Sequence, residues 1–392
     1  MGGEITREIV EAYVRCKYKA HLLLGGQEGE PSEYGVLRGE AQAAVRRGAI
    51  AELERLYGLA GIVRGGALNT DMLRRGHPAI VDALGRPDGV LAIDGLQRIP
   101  GESALGAFHY IPLLFAEGLR VRPEHRLLIE LFAQLLAPIQ VRLPDRGVVW
   151  HGGGAASMIK LSGDARRARR VLAELAQLQS GASPPSLILN GHCAICAFRR
   201  RCHEQAVQEP SLSLLRGIAP KEIAGYARKG ILTITQLAHT FRPRRSRRPA
   251  QAPRRRQYAL QAMAMRDRRI YVLGAPEVPT GPVDIYLDLE NEPDADFVYL
   301  IGLLIVEGGR ETTHSFWADS REEEMAIFEQ LVAEVTRHPA FQLFCYGSLE
   351  REYLVRMRKR STRPELVDRM LAALTNTLSL VYTHLYFPTY SN

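Results

Sequence analysis

Residues 283–290 read VDIYLDLE, a run in which every second side chain is aliphatic. Side chains alternate across a strand, so Val283, Ile285, Leu287 and Leu289 share one face while Asp284, Asp288 and Glu290 share the other. After the turn residues NEPDAD, the strongly apolar run Phe297–Val306 (FVYLIGLLIV) predicts a returning strand and hence a hairpin with the carboxylates near its middle. Ser320–Glu323 (SREE) has the spacing of a capping box, and Phe328, Leu331, Val332 and Val335 predict an amphipathic helix behind it. Phe341–Tyr346 predicts another strand, with Cys345 buried inside it. Two carboxylates on one strand face suit Mg2+ or Mn2+, whose water-activating chemistry serves phosphodiester hydrolysis. D-x-E by itself is common, and a solvated strand face is the plain alternative. Glu350, in CYGSLERE, offers a later carboxylate, although the start of a surface helix is the plainer reading.

Upstream of this hairpin the charge is concentrated. The chain has 392 residues, a formal net charge of +8 and a pI near 9.3. Arg242, Arg244, Arg245, Arg247, Arg248, Arg254, Arg255 and Arg256 crowd one proline-interrupted stretch, FRPRRSRRPAQAPRRR. Proline excludes a helix there, so the stretch predicts an extended basic linker. Contact with nucleic-acid phosphates needs charge and no fixed geometry, and a solvated tether is the bland alternative. Just before it, residues 212–241 predict two short helices, Pro220–Arg228 and Thr235–Thr240, around the turn KGILT. That pattern is helix-hairpin-helix-like, with amides around Gly230 available to a phosphate.

Toward the N-terminus, Glu4–Leu24 and Glu40–Tyr57 carry apolar residues at helical spacing. Gly89–Arg98 and Phe108–Phe115 read as strands, Glu124–Leu136 as a helix, Arg146–His151 with Met158–Leu161 as a hairpin, and Asp164–Gln179 as a helix. Then comes HCAICAFRRRC, residues 192–202, whose Cys193, Cys196 and Cys202 have a C-x2-C-x5-C spacing. With Cys16 far upstream they make four thiolates, enough to close a metal site, and soft thiolates accept an iron–sulfur cluster or zinc. Five cysteines in such a pattern fit reduced thiols better than a disulfide framework. The N-terminal residues show no signal-peptide pattern and no apolar run reaches the roughly 18 residues of a membrane span, so a cytoplasmic protein without a membrane is expected.

Taken together, RCKYKAHL, PGESALGAFHYIPLLF, LILNGHCAICAFRRRCHEQA, the segment from Ser213 to Arg245, VDIYLDLENEPDADFVYLIGLL, FCYGSLER and LSLVYTHLYFPTYSN resemble RecB-like nucleases over essentially the whole chain. In that family an N-terminal PD-(D/E)xK-type iron–sulfur domain is joined to a C-terminal YprB-like ribonuclease-H-fold domain. The resemblance implies an α/β protein divided as 1–205 (restriction-endonuclease-like), 206–241 (helix-hairpin-helix-like connector), 242–280 (basic linker and lead-in) and 281–392 (ribonuclease-H-like, DEDD type). It implies a 4Fe-4S cluster on Cys16, Cys193, Cys196 and Cys202, with zinc the alternative, and Mg2+ or Mn2+ on Asp288 and Glu290. Two departures qualify it. Asp88 or Asp94 can supply the first acid of a RecB-type site, but HYIPLLFAEG holds no carboxylate-x-lysine, so a catalytically degenerate N-terminal domain is expected. The sequence ends at FPTYSN, about a hundred residues into the C-terminal domain, which is therefore expected to be incomplete. The implied function is a metal-dependent nuclease acting on DNA through Asp288 and Glu290. The alternative is a non-catalytic nucleic-acid-binding protein built on two degenerate nuclease folds.

Overall fold

The computed structural model describes residues 5–84, 92–161, 166–181, 183–242, 257–274, 277–292 and 297–390. Contacts divide the chain into two compact units, Met1–Leu214 and Leu215–Ser391. Most of residues 206–241 therefore belong to the second unit.

The first unit contains, in chain order, α1 (Arg7–Arg15), α2 (Lys17–Leu24), α3 (Glu33–Tyr57), β1 (Ile62–Arg64), α4 (Thr70–Arg74), β2 (Ala79–Leu84), β3 (Ala92–Ser103), β4 (Gly106–Phe115), α5 (Pro123–Gln140), β5 (Arg146–His151), β6 (Ala155–Lys160), α6 (Arg166–Gln179) and α7 (Arg199–Gln208). Its strands form one six-stranded sheet in sequence order, antiparallel except for β1–β2 and β4–β5. β4 is buried from His109 to Phe115 because helices cover both faces. Tyr110 and Leu114 pack with Leu127, Leu131 and Phe132 of α5, while Leu113 and Phe115 pack with Ile50 and Leu53 of α3. Gly147 of β5 is required by this packing, since a Cβ there would lie 2.5 Å from Ile129 Cγ2. The single N-terminal helix expected over Glu4–Leu24 is instead two helices. Cys16 interrupts it in an extended conformation (φ −160°, ψ 107°), ending α1 and capping α2, where its Sγ accepts from Lys19 N at 3.4 Å.

The second unit begins with α8 (Pro220–Ala227), α9 (Ile234–Ala238), α10 (Tyr258–Asp267) and β7 (Tyr271–Val272). It continues with β8 (Val283–Glu292), β9 (Phe297–Glu307), β10 (Arg310–Trp317), α11 (Glu324–Thr336), β11 (Gln342–Cys345), α12 (Leu349–Arg358), α13 (Pro364–Ala373), β12 (Leu374–Asn376), α14 (Thr377–His384) and β13 (Leu385–Tyr386). The five-stranded sheet has the order β10-β9-β8-β11-β12, in which β8–β9–β10 is an antiparallel meander and β11 and β12 run parallel to β8. The first hairpin strand is thus central. Its aliphatic face, Ile285, Leu287 and Leu289, packs with Ile301, Leu303 and Ile305 against Phe328, Leu331 and Val332 of α11, Leu354 and Met357 of α12 and Met370 of α13. Its other face carries Tyr286, Asp288 and Glu290, all exposed. Cys345 is buried in β11 as expected.

Ser320–Glu323 does not act as the expected capping box. The helix begins at Glu324, four residues after Ser320, and Glu323 instead turns back so that its carboxylate accepts from Asp319 N at 2.9 Å. The strand β10, the helices α10 and α13 and the short β12 were not legible, for reasons of composition taken up below.

Candidate functional site

Alternation on β8 fixes where Asp288 and Glu290 point: burying the aliphatic face leaves both carboxylates on the open face. Across the sheet Asp288 stands opposite Gly302 and Glu290 opposite Leu300. Gly302 has no side chain to cover its neighbour, so the space beside Asp288 stays open.

Glu350 is where sequence reasoning and structure part. It does start a helix, α12, but it is only 3% exposed rather than on the surface. The preceding Gly347 makes the turn out of β11 at φ 143°, a conformation that L side chains rarely adopt. Glu350 Oε2 is buried without a hydrogen-bond partner. Burial pushes its carboxyl above the ordinary range; a hydrogen bond from its own backbone N–H counters that, the charge of Asp288 adds to the push, and the Cys345 thiol again counters it. A carboxylate oxygen buried without a donor is costly, and a cation would compensate it. Asp288 is thus near enough for its charge to act on Glu350, which the β11–α12 turn places at the start of α12. The signal in the sequence was the glycine-containing turn YGSLE directly after an apolar strand, which aims the first turn of the next helix back at the sheet.

The four cysteines gather from three segments. Cys202, buried in α7, has its thiol pushed up to about 11, first by burial and then by Cys196, Cys16 and Cys193. Cys193 is raised by burial and by Cys16 and Cys196, while an N–H donated by Asn190 at 3.3 Å to its Sγ acts the other way. Backbone donors thus already point at two of the sulfurs, as thiolates require: Lys19 N at Cys16 and Asn190 N at Cys193. Asn190 Nδ2 also donates to Arg15 O at 3.3 Å, tying the two distant stretches together. The loop over residues 27–32 is stitched to the cysteine segment by Glu30 N to Ala197 O (2.9 Å) and Ser32 Oγ to Ile195 O (3.0 Å). Gly29 makes that approach possible, because a Cβ on it would meet Ala197 at 2.8 Å.

The N-terminal acids are occupied. Asp94 on β3 accepts from Arg7 Nη1 at 2.6 Å and from Phe115 N at 2.8 Å, and Arg7 Nη1 also reaches Phe115 O at 2.8 Å. Arg7 additionally holds Glu11 at 2.7 Å. Glu117, two residues past Phe115, is ion-paired with Arg38, and Gln42 bridges Phe115 O and Glu117 N. Burial raises the Asp94 carboxyl, with Arg7 the main opposing influence. A guanidinium thus stands against the acid that a RecB-type site would offer to a metal ion. Asp88 lies outside the described residues.

In the connector, the hairpin amides that could have met a phosphate are already used. Gly230 N and Ile231 N bond to Ala227 O and Tyr226 O, and Leu232 N and Thr233 N both donate to Gln236 Oε1. The phosphate cradle expected around Gly230 is therefore not formed. Of the arginine stretch, Arg242 is described, at the end of the connector and exposed; Arg244, Arg245, Arg247, Arg248, Arg254, Arg255 and Arg256 lie outside the described residues.

Among the described residues no three His, Cys, Asp or Glu side chains are already set at metal-holding spacing, and no helix is long and apolar enough to cross a membrane. Residues 285–385, about a quarter of the chain, match the family model described as RNase_H superfamily. The match begins on β8 and takes in the whole parallel half of the five-stranded sheet together with Asp288, Glu290 and Glu350. No curated protein matches the chain.

Proposed function

We propose that the protein is a cytoplasmic metal-dependent nuclease that hydrolyses phosphodiester bonds of DNA at the open face of β8. The observation that carries this reading is the buried Glu350 carboxylate, whose Oε2 has no hydrogen-bond partner and which feels the charge of Asp288, within a segment matching the RNase H superfamily. Asp288 and Glu290 would present oxygen ligands on the sheet face and Glu350 would add a third from the start of α12. Mg2+ or Mn2+ bound there supplies a Lewis acid and an activated water. The side chains' task is to hold hard oxygens at fixed places on a rigid strand and to keep Glu350 ionised once a cation is near. Cleavage of labelled single- and double-stranded DNA and RNA with Mg2+ or Mn2+, abolished by chelation, tests the proposal. Absence of cleavage under every one of these conditions, with binding retained, would favour a nucleic-acid-binding protein.

The N-terminal unit, in this proposal, is a non-hydrolytic platform stapled by a 4Fe-4S cluster on Cys16, Cys193, Cys196 and Cys202, with zinc the alternative occupant. Asp94→Asn should then leave cleavage unchanged yet reduce stability. It removes the charge facing Arg7, which keeps Glu11 and Phe115 O, and because that pair is partly exposed the loss is expected to be about 1 kcal/mol. Chemical denaturation alongside the cleavage assay separates the two effects. A dead but stable Asp94→Asn variant would place the chemistry in the wrong unit.

The arginine stretch is proposed to contact phosphates without reading sequence. Replacing Arg244, Arg245, Arg247 and Arg248 with Gln should weaken binding uniformly across sequences. Each lost phosphate contact should reduce the slope of log K against log salt by about 0.9 on duplex DNA. An unchanged slope would identify the stretch as a tether.

A further inference from the structure

We propose that the open sheet face around Asp288 is a stacking platform for unpaired nucleobases, so that the strand delivered to the carboxylates is single-stranded; this rests on the nuclease reading above. A cavity of about 560 Å³ opens on that face, within the range of about 300–1,000 Å³ typical of small-ligand sites. Its walls include Tyr286, Asp288, Ser315, Phe344 and Tyr346, and Gly302 leaves the recess beside Asp288. Tyr286 is 45% exposed and Tyr346 68% exposed. Neither is there to fill a core.

Register explains the arrangement. Phe344 of β11 lies beside Tyr286 of β8, and their rings stack at 5.2 Å with an interplanar angle of 21°. Phe344 is buried, so it fixes the orientation of a ring that stays open to solvent. Two residues further along β8 comes Asp288, and two further Glu290, whose cross-strand neighbour Leu300 pairs in turn with Trp317, 58% exposed. Exposed aromatics thus stand on β8 beside Asp288, as Tyr286, and two strands across from Glu290, as Trp317 of β10, whose ring packs on Tyr299. Large exposed aromatic side chains grouped in this way mark contact surfaces. The occupant must combine a flat π-face with phosphates that a cation at Asp288 can hold, and an unpaired nucleotide has both. A duplex buries its base faces in its own stack and has none to offer.

The test uses the full chain with Asp288→Asn, which blocks turnover, and oligonucleotides carrying 2-aminopurine in single-stranded or duplex form. Stacking on an aromatic ring should quench the single-stranded probe. Tyr286→Ala with Tyr346→Ala should remove that quenching and weaken single-strand binding by about 5- to 100-fold, whereas the Phe variants at both positions should retain both. Equal quenching of duplex and single strand, Ala variants that bind like the parent, or Phe variants as impaired as Ala would each overturn the inference. If the wild-type chain never cleaves but tyrosine-dependent quenching persists, the nuclease reading falls and the platform stands. If cleavage occurs and is indifferent to both tyrosines, only the platform falls.

Discussion

Asp288→Asn is expected to abolish metal-dependent cleavage, by at least about a hundredfold, while leaving folding and nucleic-acid binding close to those of the unaltered chain. The size follows from what a ligated cation supplies, several kcal/mol of transition-state stabilisation, each 1.36 kcal/mol being about tenfold in rate. The selectivity follows from the geometry. Asp288 is exposed on the outer face of β8, so the amide takes nothing from the core formed by Ile285, Leu287 and Leu289 on the other side. Removing one carboxylate also relieves Glu350, whose protonated form Asp288 favours. Glu350→Gln should be equally inactive and, like Asp288→Asn, should leave stability nearly unchanged, because it removes a buried charge whose Oε2 has no donor. Cleavage rates and denaturation midpoints of the two variants distinguish a metal site from a solvated strand face. An Asp288→Asn chain that cuts at the wild-type rate would rule out hydrolysis at β8.

The contrast between these two acids shows what the sequence could and could not convey. Asp288 and Glu290 were readable because a period of two needs only neighbours along the chain, and the aliphatic alternation on β8 declared which side is buried. Glu350 was readable as a helix start but not as buried. Its burial depends on β11 lying beside β8, a pairing between residues some sixty positions apart that no local pattern encodes. β10 (RETTHSFW) went unread for a similar reason: it is an edge strand with polar residues on both faces, held by its register with β9 rather than by hydrophobic alternation. α13 and β12 follow a charged stretch without strong periodicity, and α10 was hidden within a lead-in read as linker. In the first unit the two-sided burial of β4 erased alternation yet left a long apolar run, which sufficed. The break at Cys16 was invisible because apolar spacing continues across it; the thiol that caps α2 is a local hydrogen-bonding choice. The degenerate N-terminal site was legible as a missing motif, whereas the Arg7 guanidinium set against Asp94 could be seen only once α1 was packed on the sheet.

Cys196→Ser is expected to have the largest effect on the N-terminal unit. Four thiols drawn from α1–α2, the loop before α7 and α7 itself influence one another, and burial first, then the neighbouring thiols, push Cys202 up to about 11. Ligation reverses that balance, since a metal takes the thiolates and its binding energy becomes folding energy, on the order of 10 kcal/mol for structural zinc. Part of the assembly survives without it. Asn190 to Arg15, Glu30 to Ala197 and Ser32 to Ile195 still bridge the segments, and the sheet core of Leu96, Tyr110, Leu114 and Phe132 is untouched. The loss should therefore be local first. Hydrogen exchange should accelerate around residues 15–32 and 187–208 while β3 and β4 stay protected, and the thermal midpoint of the unit should fall by about 10 °C or more, as several kcal/mol does in a unit of this size. Metal analysis of the unaltered chain, purified without oxygen, separates the occupants: visible charge-transfer absorption with four irons for the cluster, one colourless zinc for the alternative. A chain with neither metal whose stability is indifferent to Cys196→Ser would mean that the four cysteines converge for packing alone.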